Sequence, residues 1–166
     1  MKILATVLSC LISFSAMGFQ TGQMAGHGYY KSIDGDNSHY DVAKTVARND
    51  DGTMTIDTTI TMNGENHAWS MIIEPETDGF FAIWSKDENG ELIKNGDGAC
   101  FKKSYHLDDE AEVQNQHHKK ICTYTVHKGT AHISVTLKMG EHGTHAIGKM
   151  ENGDSRITWK EHLHRS

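Results

Sequence analysis

Histidine is the residue type in this sequence with the greatest scope for chemistry. Twelve of the 166 residues are histidines, and two pairs have a spacing that suits a shared metal ion. His162 and His164 are two residues apart, so both imidazoles would project from one face of a β-strand. His142 and His145 lie at a glycine-rich turn. Neither pair comes with the third and fourth ligands of a zinc or copper site. Two interpretations therefore stay open: a divalent metal site and polar surface histidines.

Haem is a second group that a histidine can hold, provided that the imidazole points into a cavity. The inward positions of the last strand are expected at odd residue numbers, because side chains alternate between the two faces and the apolar residues there are Ile157, Trp159 and Leu163. His162 and His164 are then expected to face solvent. We predict no cofactor, with haem or a divalent metal as the alternatives.

Motifs of known catalytic spacing do not occur in the sequence. It has no G-x-S-x-G elbow, no phosphate-binding glycine loop, no H-E-x-x-H and no C-x-x-C. Glu161 shares a strand face with Trp159 and Leu163, so it is either a buried carboxyl group or a salt-bridged residue at the rim. Because no nucleophile is paired with a base, we expect a protein that acts by binding and not as an enzyme.

The first residues have the pattern of an export signal. Lys2 precedes an apolar run over residues 3–14, and the small residues Ala16 and Gly18 follow it. The run is shorter than the roughly 20 residues that span a bilayer. We predict that residues 1–18 are a signal peptide. The protein would then be exported, periplasmic or extracellular, and would keep no stable membrane insertion after cleavage.

Residues 19–166 have an ordinary size for one domain. The formal net charge of the chain is −6 and no basic stripe occurs, which argues against nucleic acid as a partner. Two cysteines remain in the mature chain, Cys100 and Cys122. In an oxidising compartment they predict one disulfide bond; the alternative is two free buried thiols.

Alternation with a period of two, interrupted by glycine turns, predicts an antiparallel β-meander. The clearest hairpin has Asn63-Gly64 as a two-residue turn. That turn would set Ile56 opposite Met71 and Met54 opposite Ile73, which brings the apolar side chains to one face. The agreement of turn and pattern supports this register.

A second hairpin is predicted around Lys128-Gly129. Its turn would place Tyr124 opposite Ile133, with His127 and His132 as diagonal neighbours on the outer face. Asn95-Gly96 is interpreted as another turn between two strands. Pairing of the strands that flank residues 107–118, where the alternation lapses, would set Cys100 directly opposite Cys122.

These hairpins amount to about eight to ten short strands, and closure into a barrel would remove both exposed edges. The architecture resembles that of the calycins, the lipocalin-like up-and-down barrels. Two segments carry the likeness, the first-strand sequence GHGYY at 26–30 and the basic ending WKEHLHR at 159–165. The tryptophan that lipocalins usually have on their first strand is absent here. We predict an all-β, lipocalin-like barrel with one disulfide.

The resemblance implies a ligand cavity inside the barrel. The large side chains that we assign to the inner face are those of Met54, Trp69, Met71, Phe80, Trp84, Tyr124 and Trp159. In a wide barrel they would enclose an apolar pocket, and in a flattened one they would fill a core. We expect a carrier or scavenger of a small apolar molecule. The alternative is a protein-binding module, such as an inhibitor of an envelope enzyme, acting through residues 107–118.

Overall fold

Ten antiparallel strands close into a barrel. The computed structural model describes residues 19, 21–102, 118–140 and 143–165. The strands are β1 (Gly22–Ser32), β2 (Asn37–Arg48), β3 (Met54–Met62), β4 (Glu65–Pro75), β5 (Phe80–Lys86), β6 (Leu92–Lys102), β7 (His118–Lys128), β8 (Ala131–Gly140), β9 (Gly143–Asn152) and β10 (Ser155–Arg165). Each strand pairs with its neighbour in sequence, and β10 pairs with β1. The predicted all-β barrel is confirmed. One short 3-10 helix, Thr77–Gly79, precedes β5.

The β3–β4 hairpin has the predicted register. Ile56 pairs with Met71 and Met54 with Ile73. Asn63 and Gly64 form the turn, with φ angles of 54° and 82°, in the left-handed region that a two-residue hairpin turn requires.

The β7–β8 hairpin differs from its predicted register by two residues. Tyr124 pairs with Val135 and Lys128 with Ala131, so the turn is Gly129-Thr130. Gly129, with φ 59°, occupies the first central position of the turn and not the second. A shift of two residues keeps every side chain on its face, so the predicted inner face is preserved.

Asn95-Gly96 is not a turn. Both residues lie inside β6, where the register against β5 shifts between Ile83 and Trp84. The Asn95 amide donates to Ser85 Oγ at 2.6 Å. An asparagine-glycine pair also suits a β-bulge, because glycine within a strand tolerates the local bend. The two strands predicted on either side of this pair are therefore one.

Three glycines in mid-strand each face an aromatic ring of the neighbouring strand: Gly28 opposite Tyr40, Gly98 opposite Phe81 and Gly148 opposite Trp159. A Cβ atom at any of the three would overlap that ring. The rings therefore lie over bare backbone on the inner face, and the sheet can curve at these points.

The hydrophobic core fills one end of the barrel. Met54, Ile73, Phe81 and Ile83 are almost wholly buried there, and the Phe19 ring packs edge-on against Phe81, with centroids 5.6 Å apart. We call this the closed end. None of the described residues belongs to a helix long and apolar enough to cross a bilayer.

The predicted disulfide joins β6 to β7. Cys100 and Cys122 are directly opposite each other, with Cα atoms 4.0 Å apart and a sequence separation of 22. Phe101 pairs with Ile121 in the same ladder. The disulfide and the register that we derived for it are confirmed.

Candidate ligand-binding cavity

A cavity of about 500 Å³ occupies the barrel interior at the end opposite the core. Residues 33–36, 63–64, 129–130 and 153–154 form hairpin turns at this end. Trp69, which is 43% exposed, also lines the cavity. The apolar part of the wall includes Ile60, Met62, Trp69, Met71, Ile133 and Trp159. Such a wall suits an apolar guest, because burial of apolar surface drives binding.

The floor of the cavity is formed by Lys44, Thr58, Met71 and Tyr124. These four residues also line a much smaller space of about 60 Å³ toward the closed end, so they separate the cavity from the core. Three of the four carry a polar group. The cavity is therefore apolar at its sides and polar at its floor.

A buried ion pair lies in this polar region. Lys44 Nζ donates to Glu161 Oε2 at 2.7 Å, and the Tyr40 hydroxyl donates to Glu161 Oε1 at 3.1 Å. The Lys44 and Glu161 side chains are 16% and 6% exposed. A buried charge needs such partners, because its desolvation costs several kcal/mol. We call Tyr40, Lys44 and Glu161 the polar cluster.

Gly28 makes the polar cluster possible. It lies on β1 and pairs on one side with Tyr40 of β2 and on the other with Glu161 of β10. Because Gly28 has no side chain, the Tyr40 ring lies over its backbone and reaches the carboxylate one strand further on. The contact between two strands that are not neighbours depends on this glycine.

Both interior tyrosines near Glu161 are held in the neutral form. Burial raises the pKa of the Tyr40 phenol far above its ordinary value, and the charge and hydrogen bond of Glu161 raise it further. Burial and the charge of Glu161 likewise raise the pKa of Tyr124. Within the described part of the chain, the Tyr124 hydroxyl and the Thr58 hydroxyl make no side-chain hydrogen bond. Both line the cavity as hydroxyl groups open to a guest.

The seven side chains that we predicted for the cavity divide into three groups. Trp69, Met71, Tyr124 and Trp159 line its wall or floor. Met54 is fully buried in the core of the closed end. Phe80 and Trp84 are absent from the wall. Binding of a ligand by the first four stays a prediction.

Phe80 and Trp84 lie on the outer face because β5 begins after Gly79. With Gly79 at φ 81°, Phe81 and Ile83 take the inward positions, and a change of one residue reverses every side chain. Phe80 is 55% exposed. The Trp84 indole N–H donates to Glu74 Oε2 at 2.7 Å.

The described histidines of the last strands lie on the outer surface. His162 is opposite His145 on one side and His27 on the other, and the rings of His145 and His162 have centroids 4.4 Å apart. His27 Nδ1 contacts Asp41 Oδ1 at 2.7 Å. His164 follows on the same face. His142 lies outside the described residues.

His127 and His132 are direct partners across the β7–β8 ladder, and not diagonal neighbours as predicted, because the register differs by two. Their Nδ1 atoms are 3.5 Å apart. No group of three or more potential ligands among residues 19, 21–102, 118–140 and 143–165 is arranged to hold a metal ion. Metal binding at His145, His162 and His164 stays a prediction.

Tyr40 and Lys44 were not predicted as site residues. A signal was present in β2, where Tyr40, Val42, Lys44 and Val46 alternate with outward-facing residues. A lysine in such an inward series predicts a buried partner. Glu161 was predicted to share the inward face of β10, but its partner Lys44 was not predicted.

The fold and the cavity together define a class, a closed up-and-down barrel with an internal space at one end, and this architecture is consistent with a calycin-like barrel. The S-type phycobiliprotein lyase CPES from Guillardia theta has a similar structure. The TM-score is 0.58 with 8% sequence identity, over 89% of this chain and 88% of that one. At this identity the similarity concerns the fold alone.

A protein assigned as a thioesterase II from Thermobifida fusca was also matched, over 95% of this chain and 85% of that one. The sequence identity is 7% and the TM-score is 0.20, too low to carry an argument. No protein-family model matches the chain, and no curated protein sequence is similar to it.

Proposed function

We propose that this protein is an exported carrier or scavenger that binds a small, largely apolar molecule in the barrel cavity. The observation that carries the proposal is a cavity of about 500 Å³ with an aromatic and thioether wall. Pockets that bind small molecules usually measure roughly 300–1,000 Å³. Methionines such as Met62 and Met71 adapt to guests of different shape.

Export is supported by two features of the chain. The apolar N-terminal run has the composition of a signal peptide, and the Cys100–Cys122 disulfide suits an oxidising compartment. N-terminal sequencing of the protein recovered from the periplasm of an expression host is expected to begin at Phe19. Recovery of the intact chain with Met1 in the cytoplasm would contradict export.

Ligand binding can be tested with the neutral fluorescent probe N-phenyl-1-naphthylamine. The variant Ile133→Trp adds bulk to the cavity wall, and Ile147→Trp makes the same change at a position that is 46% exposed on the outer face. We expect the inner variant to weaken probe binding by about tenfold or more and the outer one to leave it unchanged. Equal binding by both variants would contradict the proposal.

Binding of an envelope protein is the second candidate function. The observation that favours it is a groove on the outer surface with the exposed side chains of Tyr29, Phe80 and Ile147. Exposed apolar patches mark interaction sites. Residues 107–117, part of the predicted binding loop, lie outside the described residues. A stable complex that is lost in Phe80→Ser and kept in Ile133→Trp would favour this candidate over the carrier.

A further inference from the structure

We propose that the ligand of this cavity is an apolar molecule with an uncharged hydrogen-bond acceptor, such as the carbonyl group of a ketone, ester or amide, and that this group binds at the cavity floor. The inference rests on the proposed function and specifies the chemical class of its ligand. It depends on which hydrogen-bonding groups at the floor are already engaged and which are open.

In the polar cluster, both acceptor oxygens of Glu161 are engaged, whereas, among the residues that the structure describes, Lys44 keeps N–H donors that are not. Both oxygens of Glu161 are engaged, Oε1 by the Tyr40 hydroxyl and Oε2 by Lys44 Nζ. An ammonium group has three N–H donors, and Lys44 makes no second hydrogen bond within the described ranges. Because Lys44 lines the cavity, its remaining donors can reach a guest.

Two hydroxyl groups add to this surplus of donors. Tyr124 and Thr58 line the same floor. The high pKa of Tyr124, caused by burial and by the charge of Glu161, keeps its phenol protonated. Thr58 is 2% exposed, so water outside the barrel scarcely reaches it. Neither hydroxyl oxygen is among the fully buried side-chain atoms that lack a partner in the described ranges, so both open onto the cavity, where a guest that accepts hydrogen bonds can pair with them.

The charge balance of the floor selects a neutral guest. Lys44 and Glu161 neutralise each other at 2.7 Å. An anionic head group would compete with Glu161 for Lys44 and leave one buried negative charge uncompensated, and a cationic head group would meet Lys44. Both outcomes carry a desolvation penalty. A carbonyl oxygen accepts from Lys44, Tyr124 or Thr58 without adding a charge.

The test compares three ten-carbon probes, 2-decanone, decanoate and decane, by displacement of N-phenyl-1-naphthylamine at neutral pH. They have similar chain length and differ in the head group. A hydrogen bond from a charged donor contributes about 1.5–3 kcal/mol, so 2-decanone is expected to bind about tenfold or more tightly than decane. It should also bind more tightly than decanoate. Equal binding of 2-decanone and decane, or tightest binding of decanoate, would overturn the inference.

Two conservative variants locate the acceptor. Tyr124→Phe and Thr58→Val each remove a hydroxyl group with little change in shape, and at least one is expected to reduce the preference for 2-decanone over decane by about tenfold. Tyr29→Phe on the outer surface is the matched control and should keep the full preference. If both inner variants kept it, and the double variant Lys44→Met with Glu161→Gln, which removes the third donor, kept it as well, the assignment to the floor would be wrong.

The two proposals fail in distinguishable ways. If the fluorescent probe binds and Ile133→Trp weakens it, but the head group makes no difference, the cavity is a binding site and only the inference about the head group is wrong. If neither the fluorescent probe nor any of the ten-carbon probes binds to the folded protein, both proposals are overturned.

Discussion

The buried ion pair of Lys44 and Glu161 contributes to the stability of the fold, because each charge compensates the other. Removal of one partner leaves the other charge buried, and such changes cost about 3–5 kcal/mol. We expect Lys44→Met to lower the free energy of unfolding by an amount near the lower limit, because Lys44 is 16% exposed. Urea denaturation monitored by tryptophan fluorescence measures the change.

The control for this prediction is the double variant Lys44→Met with Glu161→Gln. It removes both charges and keeps an acceptor for the Tyr40 hydroxyl. Its stability should recover most of the loss, since neutral replacement of a buried pair is often tolerated. A double variant that is no more stable than Lys44→Met would show that the uncompensated charge of Glu161 is not the cause of the loss.

Because of Tyr40 and Tyr124, the free energy of unfolding is expected to decrease at alkaline pH. Burial raises the pKa of Tyr40 and of Tyr124 in the folded state, whereas the unfolded value is about 10. The unfolded state therefore releases protons first, and stability that is fully present below about pH 10 falls as the pH rises above it. Tyr40→Phe and Tyr124→Phe should each reduce that fall.

Ultraviolet absorption provides the measurement for these two tyrosines. Of the five tyrosines in the chain, Tyr40 and Tyr124 are expected to form phenolate only when the protein unfolds. Urea denaturation at pH 9 and at pH 11 gives the stability difference. The same difference in wild type and in both variants would contradict the burial argument.

At the scale of the strands, Gly28 is expected to control the contact between β2 and β10. The Cβ atom of Gly28→Ala would overlap the Tyr40 ring, so we expect a loss of stability and a displaced Tyr40 hydroxyl. A double-mutant cycle with Tyr40→Ala tests the cause. The glycine substitution should cost less when the ring is absent, and additive effects would contradict the proposed overlap.

The disulfide between β6 and β7 is expected to stabilise the barrel through the unfolded chain. In the chain-entropy model, closure of a loop with a sequence separation of 22 contributes about 3 kcal/mol. The double variant Cys100→Ala with Cys122→Ala should unfold at a lower urea concentration. Reduction of the wild-type protein should give a similar shift, and no shift in either case would contradict the prediction.

The hairpins show what alternation and turn residues can predict. Alternation and the turn residues together determine the β3–β4 register, because Asn63-Gly64 fits one type of two-residue turn. Gly129 alone fits either central position of its turn, and both choices place Tyr124 on the inner face. Alternation then fixes the face but leaves the register open by two residues.

The inner face of β5 could not be predicted in the same way. Its first inward residue depends on the backbone at Asp78 and Gly79, both with positive φ, which period-two alternation does not encode. The polar cluster was missed for another reason. Its members come from strands separated by β1, so the contact exists only after the barrel closes.

At the scale of the molecule, the barrel has two unlike ends. A core with the disulfide fills the closed end, and the cavity occupies the other, with Lys44, Thr58 and Tyr124 between them. This division lets stability and binding reside in different residues. Substitution of a partly exposed residue of the cavity wall, such as Trp69, is then expected to change affinity more than the free energy of unfolding, because Trp69 is 43% exposed.

The pairing of the first strand with the last also has a consequence expected for folding. The β1–β10 ladder joins Met24 to Arg165, so it has the greatest sequence separation of any ladder in the barrel. Contacts of that kind form slowly, because the entropy of closing a long loop is lost before they add stability. Until β10 pairs with them, β1 and β9 keep open edges that can pair with other chains. We therefore expect barrel closure to be the slowest step of folding and the stage most exposed to aggregation.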